Sequence, residues 1–179
     1  MKKHSVTLIP VVMLCTLCLA QDSPQKKGSA SGHKSHMMAV SADTLKWGPP
    51  SADWIQGTPP PEFSAPRSEF AVVHGDPSKP GPFVIRIKSP DGEKVPPHWH
   101  PQDEHLTVLQ GSLFVGTGEK FDQNAGHELK AGSYGLVPKK MWHFAWAKGE
   151  TIVQVHGVGP FRINFVKLEE AAKKPTSSQ

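Results

Sequence analysis

The stretch Gly92–Gly111, GEKVPPHWHPQDEHLTVLQG, contains two histidines separated by a single residue, His98 and His100. Successive side chains of an extended strand point to opposite faces, so residues two apart share a face. Both imidazoles are therefore expected to point the same way. Imidazole nitrogens are common ligands of divalent transition metals. The spacing predicts a metal site built on a β-strand.

The same alternation identifies a third ligand after the turn that follows His100. Glu104 shares a face with two apolar residues, Leu106 and Val108, whereas His105 lies on the opposite face. Leucine and valine suit the interior of a barrel, which places Glu104 inward with the histidines. Glu104 is the better candidate, and His105 is the alternative.

The fixed residues of this stretch resemble the first motif of the cupin superfamily. That motif is a glycine, five residues, a histidine, one residue, a histidine, three residues, a glutamate, six residues and a glycine. All five fixed positions agree, at Gly92, His98, His100, Glu104 and Gly111.

The second cupin motif is matched in part further along the chain. It is a glycine, five residues, a proline, one residue, a glycine, two residues, a histidine, three residues and an asparagine. Gly132, Pro138 and His143 stand at the matching places. Lys140 replaces the second glycine and Ala147 replaces the asparagine.

The resemblance covers about residues 70 to 166 and implies an all-β, cupin-type jelly-roll β-barrel, also described as a double-stranded β-helix. It implies one bound divalent metal ion with four protein ligands, namely His98, His100, Glu104 and His143. A six-coordinate ion with these ligands keeps two positions for water, substrate or dioxygen, which suits Fe, Mn or Ni. Loading outside the cytoplasm would favour Cu or Zn, so the identity of the ion stays open.

Short apolar segments separated by turn-forming pairs follow from residue 69 onward, which is typical of a sandwich or a closed barrel. We expect the barrel to span residues 69–167, followed by a tail at 168–179. The predicted strands are Phe70–His74, Phe83–Lys88, Glu104–Gln110, Ser112–Gly116, Tyr134–Val137, Trp142–Ala147, Thr151–His156 and Phe161–Val166.

Residues 1–20 have the pattern of a secretory signal. Lys2 and Lys3 precede a mostly apolar run that is too short for a comfortable membrane span. Both cysteines of the chain, Cys15 and Cys18, lie in this segment. We therefore expect an exported protein, periplasmic or extracellular, without disulfides and without a stable membrane span after signal removal. An uncleaved anchor is the alternative.

Two further segments precede the predicted barrel. Residues 21–40 are rich in Ser, Gly, Gln and Lys and predict a disordered linker. Residues 41–68 contain many prolines together with Trp47 and Trp54, which predicts an extended N-terminal arm that packs on the barrel.

The charge of the chain gives no sign of a nucleic-acid partner. Twenty Lys and Arg against 16 Asp and Glu give a net charge of +4. Two of these basic residues lie in the predicted signal, which leaves 18 against 16, or +2. A nucleic-acid-binding domain needs a clustered basic face, and this sequence has none.

Five other side chains are candidates for the walls of a ligand pocket, namely Phe114, Tyr134, Arg86, Gln154 and His156. Arg86 would hold a substrate carboxylate if it points inward, and His156 would support a metal ligand through a hydrogen bond. Each has a structural alternative, because the aromatic rings also suit a core and the polar side chains also suit a surface.

The aromatic side chains Trp142, Phe144 and Trp146 have the parity opposite to His143. We therefore expect them to pack outward, against the arm around Trp47 or against a second subunit. Cupins often pair, so the resemblance implies a homodimer.

Two functions fit this pattern. The first is a metal-dependent enzyme of the dioxygenase or oxidoreductase type that acts on a small organic molecule. Glu104 is a candidate base if it leaves the metal, which would extend the chemistry to isomerase or lyase reactions. The second is a non-enzymatic small-molecule or metal-binding protein of the cell envelope, because the cupin fold serves many functions.

Overall fold

The computed structural model of the chain describes residues 37–63 and 66–165. Two short 3₁₀ turns, Ala42–Thr44 and Ala52–Trp54, precede nine strands. The strands are β1 Ile55–Gln56, β2 Glu69–His74, β3 Gly81–Ser89, β4 Lys94–Trp99, β5 Glu104–Thr117, β6 Gly126–Lys130, β7 Tyr134–Val137, β8 His143–Gly159 and β9 Ile163–Phe165. The predicted signal, the linker up to residue 36, and the tail lie outside the described residues. In the described ranges no helix has the length and apolar character needed to cross a membrane.

The prediction of an all-β jelly roll is confirmed, with differences in individual strands. The four predicted segments Glu104–Gln110, Ser112–Gly116, Trp142–Ala147 and Thr151–His156 form two long strands, β5 and β8. Three strands, β1, β4 and β6, were not in the predicted set. β4 contains Pro96 and Pro97, which argue against a regular ladder, and β6 is a mostly polar hairpin strand.

The long strands β5 and β8 each take part in two leaves of one curled sheet. Leaf A has the order β2-β3-β8-β5-β7 and uses residues 151–159 of β8 and 104–110 of β5. Leaf B has the order β1-β9-β4-β8-β5-β6 and uses residues 143–148 of β8 and 112–117 of β5. The inner faces of the two leaves enclose the core.

The bend in β5 depends on Gly111, the last glycine of the first cupin motif. Its φ of +72° lies in the left-handed region that favours glycine. A Cβ atom there would meet the carbonyl oxygen of Glu150 and would lie 2.6 Å from Oγ1 of Thr151. No other residue type therefore lets β5 bend this closely against β8.

The core is formed by the inward row of each strand. Ile85 of β3, Val108 of β5 and Val155 of β8 are almost wholly buried. Each alternates with a more exposed neighbour that faces out from leaf A. The sheet therefore presents its apolar side chains to one interior.

The N-terminal arm links the outer edges of the two leaves. Gly48 bridges to Phe70 in β2, and β1 pairs in parallel with β9. Trp54 is buried between these points, edge-on to Phe70 and to Phe161. Its Nε1 donates a hydrogen bond to Oγ of Ser78 over 3.1 Å.

The aromatic residues expected on an exposed strand are mostly covered. Phe144 and Trp146 do point away from His143, but both are buried. Phe121, in the loop between β5 and β6, packs against both rings, and Phe114 stacks on Trp146. This face of leaf B is therefore covered within the chain and not by the arm around Trp47 or a second subunit.

The turn before β8 adopts a glycine-like conformation without glycine. Lys140, which replaces the second glycine of the second cupin motif, has a φ of +63°. Met141 N donates to the carbonyl oxygen of Pro138 over 3.1 Å, and Lys140 N donates to that of His100 over 2.8 Å. Main-chain hydrogen bonds on both sides therefore hold a left-handed turn at a residue other than glycine.

Replacing Lys140 with glycine should raise the free energy of unfolding. A left-handed conformation costs an L-residue about 1–2 kcal/mol, and glycine avoids this cost while losing about 0.5–1 kcal/mol in backbone entropy. We expect a net gain of up to about 1 kcal/mol for Lys140→Gly, measured as the midpoint of urea denaturation.

Lys139→Gly is the matched control, because it removes the same charge from the same turn at a position without positive φ. It should lower stability by about 0.5–1 kcal/mol, the entropy cost alone. Equal destabilisation by the two variants would contradict this account of the turn.

Candidate metal centre

Three imidazoles converge at one end of the barrel interior. His98 lies in β4, His100 lies just after β4, and His143 begins β8. One ring nitrogen of each lies within 4.8 Å of the others, and all three residues are buried. Direct pairing of His98 with His143 in the ladder between β4 and β8 brings together parts of the chain that are far apart in sequence.

Main-chain carbonyl groups orient the three rings. Each Nδ1 atom lies within hydrogen-bonding distance of one carbonyl oxygen. The contacts are His98 to Pro96 at 2.8 Å, His100 to Arg162 at 2.6 Å and His143 to Met141 at 3.1 Å. A carbonyl oxygen only accepts, so each Nδ1 donates a proton and each Nε2 is left with its lone pair. Such bonds commonly fix the tautomer and orientation of metal-binding histidines.

Glu104, the first residue of β5, places a buried carboxylate beside these nitrogens. Its Oε2 lies 3.5 Å from Nε2 of His100 and 3.4 Å from Nε2 of His143. Over the described ranges, Nε2 of His100 is the one buried side-chain polar atom without a hydrogen-bond partner. Leaving such an atom unpaired costs about 1–3 kcal/mol. A divalent cation would supply the missing partner, so these four side chains fit a metal ion.

Burial and mutual charge determine how these groups hold protons. Burial, followed by the neighbouring His143 and His100, lowers the pKa of His98 well below its ordinary value. Burial raises the pKa of Glu104, but the adjacent imidazoles of His100 and His143 outweigh it and hold this pKa well below the usual range. Glu104 is therefore a carboxylate and His98 a neutral imidazole at neutral pH.

His100 is the ligand candidate for which a metal ion competes with a proton. Burial lowers the pKa of His100, but the adjacent Glu104 carboxylate outweighs burial and leaves this pKa raised. Without a metal ion, a proton on His100 compensates the carboxylate charge. A metal ion must displace that proton, so its affinity weakens as the pH falls through this pKa.

Strand parity distinguishes Glu104 from His105 as the sequence predicts. His105 points to the outer face of leaf A, where its Nδ1 lies 2.7 Å from the hydroxyl of Tyr134. Its ring stacks on that of His156 with centroids 4.9 Å apart. His105 is therefore directed away from the three imidazoles.

The five predicted pocket residues do not line the cavity that contains the ligand candidates. Four of them, Arg86, Gln154, His156 and Tyr134, lie on the outer face of leaf A. Arg86 donates from Nε to Oε1 of Gln154 over 3.2 Å. The reason is alternation, because each occupies the parity opposite to a buried neighbour such as Ile85 or Val155.

Phe114 also lies outside the cavity. It faces out from leaf B and stacks on Trp146, with ring centroids 4.9 Å apart and an interplanar angle of 9°. Its neighbours in β5, Leu113 and Val115, face the interior instead.

The cavity has a volume of about 120 Å³ and extends from the ligand candidates between the two leaves. Its walls are mainly apolar and include Ile87, Leu106, Leu113, Val115, Val153 and Phe165. Ser68, Ser89 and Glu93 also line it. Sequence reasoning did not single these three out, although the inward row Phe83, Ile85, Ile87 continues in register to Ser89.

Phe161 is a further contact that sequence reasoning missed. Its ring stacks on the imidazole of His100 with centroids 5.0 Å apart and an interplanar angle of 22°. Trp54 of the arm packs edge-on against the other side of this contact, with centroids 5.9 Å apart. The arm thereby supports the position of a ligand candidate that it does not touch.

Comparison with known proteins agrees with this architecture. Residues 86–159 match the sequence profile of the family described as the Cupin domain. Comparison with curated proteins gives no match.

Two similar solved structures cover most of the chain. A putative acetylacetone dioxygenase from Methylibium petroleiphilum PM1 aligns with a TM-score of 0.54 at 19% identity, over 76% of this chain and 85% of its own. An acetylacetone dioxygenase from Acinetobacter johnsonii aligns with a TM-score of 0.50 at 18% identity, over 83% of this chain and 87% of its own. At this identity the likeness shows the fold alone. Together with the family match, it shows that residues 86–159 form a cupin domain on this jelly-roll fold.

Proposed function

We propose that this cupin is a metal-dependent oxygenase of the dioxygenase type that acts on a small chelating organic molecule. The observation that carries the proposal is the convergence of four buried ligand atoms at a cavity, with Nε2 of His100 left unpaired. The proposed ligands are His98, His100, Glu104 and His143.

The residues of the chain define what each group contributes. A bound divalent ion, whether Fe, Mn, Ni, Cu or Zn, would supply Lewis-acid chemistry, with redox chemistry if the ion is redox-active. The three imidazoles, oriented by main-chain carbonyl groups, hold the site rigid. Glu104 serves as a ligand in this proposal and, if displaced by a substrate, as a base for isomerase or lyase chemistry.

The cavity restricts the size and polarity of the substrate. A dry apolar cavity of about 150 Å³ accommodates a benzene ring. The volume of about 120 Å³ is of the same order, so the cavity suits a small molecule and not a long-chain or polycyclic one. Both similar structures are described as acetylacetone dioxygenases, and acetylacetone is a chelator of this size. It is therefore the first substrate to test.

The alternative is a non-enzymatic protein that binds a metal ion or small molecule. One observation on the described residues favours this alternative. Glu93 is the one carboxylate lining the cavity besides Glu104, and both of its oxygens accept hydrogen bonds from Arg67. Among the described residues, the cavity thus presents no second carboxylate that is free to act on a bound molecule.

The enzyme proposal is tested with iron-loaded protein, an oxygen electrode and acetylacetone. We expect one metal ion per chain and oxygen uptake that depends on the diketone. His143→Ala should lose stoichiometric metal and reduce uptake more than about 100-fold, because it removes a ligand. His105→Ala removes a nearby outward-facing imidazole and should retain both properties.

Three outcomes separate the possibilities. Oxygen uptake lost in His143→Ala and retained in His105→Ala supports the enzyme. Full metal loading without turnover of diketones, catechols or keto acids favours the binding protein. Failure to bind any of the five metal ions contradicts both the enzyme and a metal-binding protein.

We further propose that the protein is exported and forms a homodimer. Support for export is the signal pattern of residues 1–20. Support for pairing is the habit of cupins to pair and the apolar side chains exposed on leaf A, namely Leu109, Tyr134, Leu136 and Val158. Protein recovered from a secreting host should have the mass of a chain that begins at residue 21. Light scattering should give twice the mass of that chain. An intact N-terminus or a monomer would refute the respective proposal.

A further inference from the structure

A pair of buried serine hydroxyls lies in the same cavity as the ligand candidates. Ser89 ends β3 and continues its inward row, and Phe70 pairs with Ile87 two residues away. Ser68, which immediately precedes β2, therefore faces Ser89 across the two strands. Both residues are buried, and their Oγ atoms are 2.8 Å apart.

The hydrogen bonding of this pair is incomplete. Each hydroxyl has one proton to donate, and the bond between Ser68 and Ser89 uses only one of the two. Over the described ranges neither hydroxyl makes another hydrogen bond. One buried O–H group therefore has no acceptor, although buried donors in proteins are almost always paired.

The approach to Ser68 is held firmly in place. Arg67 N donates to Oε1 of Glu93 over 3.0 Å, and Arg67 Nε donates to Oε2 over 2.9 Å. This double contact attaches the residue before Ser68 to the residue before β4. The hydroxyl pair is thus positioned without needing a ligand to organise it.

The surroundings of the pair do not suit an anion. Glu93 lines the same part of the cavity, and its carboxylate already engages the guanidinium of Arg67. Lys94, also at this end, directs its ammonium group toward the ring of Phe121, with Nζ 5.4 Å from the centroid. The buried Glu93 carboxylate disfavours a second negative charge nearby, so a neutral acceptor is the better match.

We propose that Ser68 and Ser89 form a ligand subsite that donates a hydrogen bond to an uncharged oxygen of a bound molecule. The chelating end of that molecule would bind the metal ion, and its apolar part would lie against walls such as Leu113 and Val153. The inference rests on the proposed metal site and adds a ligand class to it. That class is a small chelator with a terminal ether, carbonyl or hydroxyl oxygen.

Two isosteric diketones test the subsite. Heptane-2,4-dione and 1-methoxypentane-2,4-dione have the same number of non-hydrogen atoms and differ by one methylene in place of one ether oxygen. The ether only accepts hydrogen bonds, so it reports on the free hydroxyl proton. Binding to zinc-loaded full-length protein is measured by titration calorimetry, because zinc is redox-inert and permits no oxygen-dependent turnover.

Wild-type protein should bind the methoxy compound about three- to tenfold more tightly than heptanedione, the range of one net hydrogen bond. Ser68→Ala/Ser89→Ala should abolish this preference. Ser112→Ala removes a half-buried strand serine outside the cavity and should keep the preference.

Failure of the subsite is distinguishable from failure of the metal site. Equal or tighter binding of heptanedione by wild-type protein overturns the subsite, even if the double variant does not fold. A preference that survives in the double variant overturns it as well. Failure of wild-type protein to bind zinc overturns the metal site and with it the subsite, whereas zinc-loaded protein that binds neither diketone overturns the subsite alone.

Discussion

The antiparallel pairing of β5 with β8 is the constraint on which the other features of this molecule depend. Both strands are too long for one flat sheet. They bend together at Gly111, where a Cβ atom would collide with Glu150 and Thr151. The bend divides one sheet into two leaves and creates an interior between them. It also places Glu104, at the start of β5, near His143, at the start of β8.

Electrostatics then determines what this interior can hold. The carbonyl groups that bind each Nδ1 direct three nitrogen lone pairs toward a buried carboxylate, so four acceptors converge with no donor between them. A proton on His100 offsets the repulsion in part, and a divalent cation satisfies all four groups. In the same cavity a hydroxyl pair offers the opposite polarity, a donor without an acceptor among the described residues. A molecule with two kinds of acceptor oxygen, one for the ion and one for the hydroxyl, would complement both features.

Alternation along strands accounts for most of what the sequence could predict. It separated Glu104 from His105 without any family knowledge, and it would have found Ser89 had the row in β3 been followed to its end. The same rule shows why Arg86 and Gln154 are not in the cavity. Alternation cannot show what covers an outward face. The burial of Phe144 and Trp146 by a loop therefore could not be predicted from it. Lys140 shows that tertiary contacts can hold a turn whose residue propensity argues against it.

The central claim is that one ion is held by three imidazoles and one carboxylate in the barrel interior. X-ray absorption spectroscopy at the zinc edge of the loaded protein tests it most directly. The account predicts three imidazole nitrogens at about 2.0–2.1 Å together with oxygen ligands, and two imidazoles in any residual site of His143→Ala. A wild-type spectrum with fewer than three imidazoles, or one unchanged in the variant, would place the ion elsewhere and contradict the account.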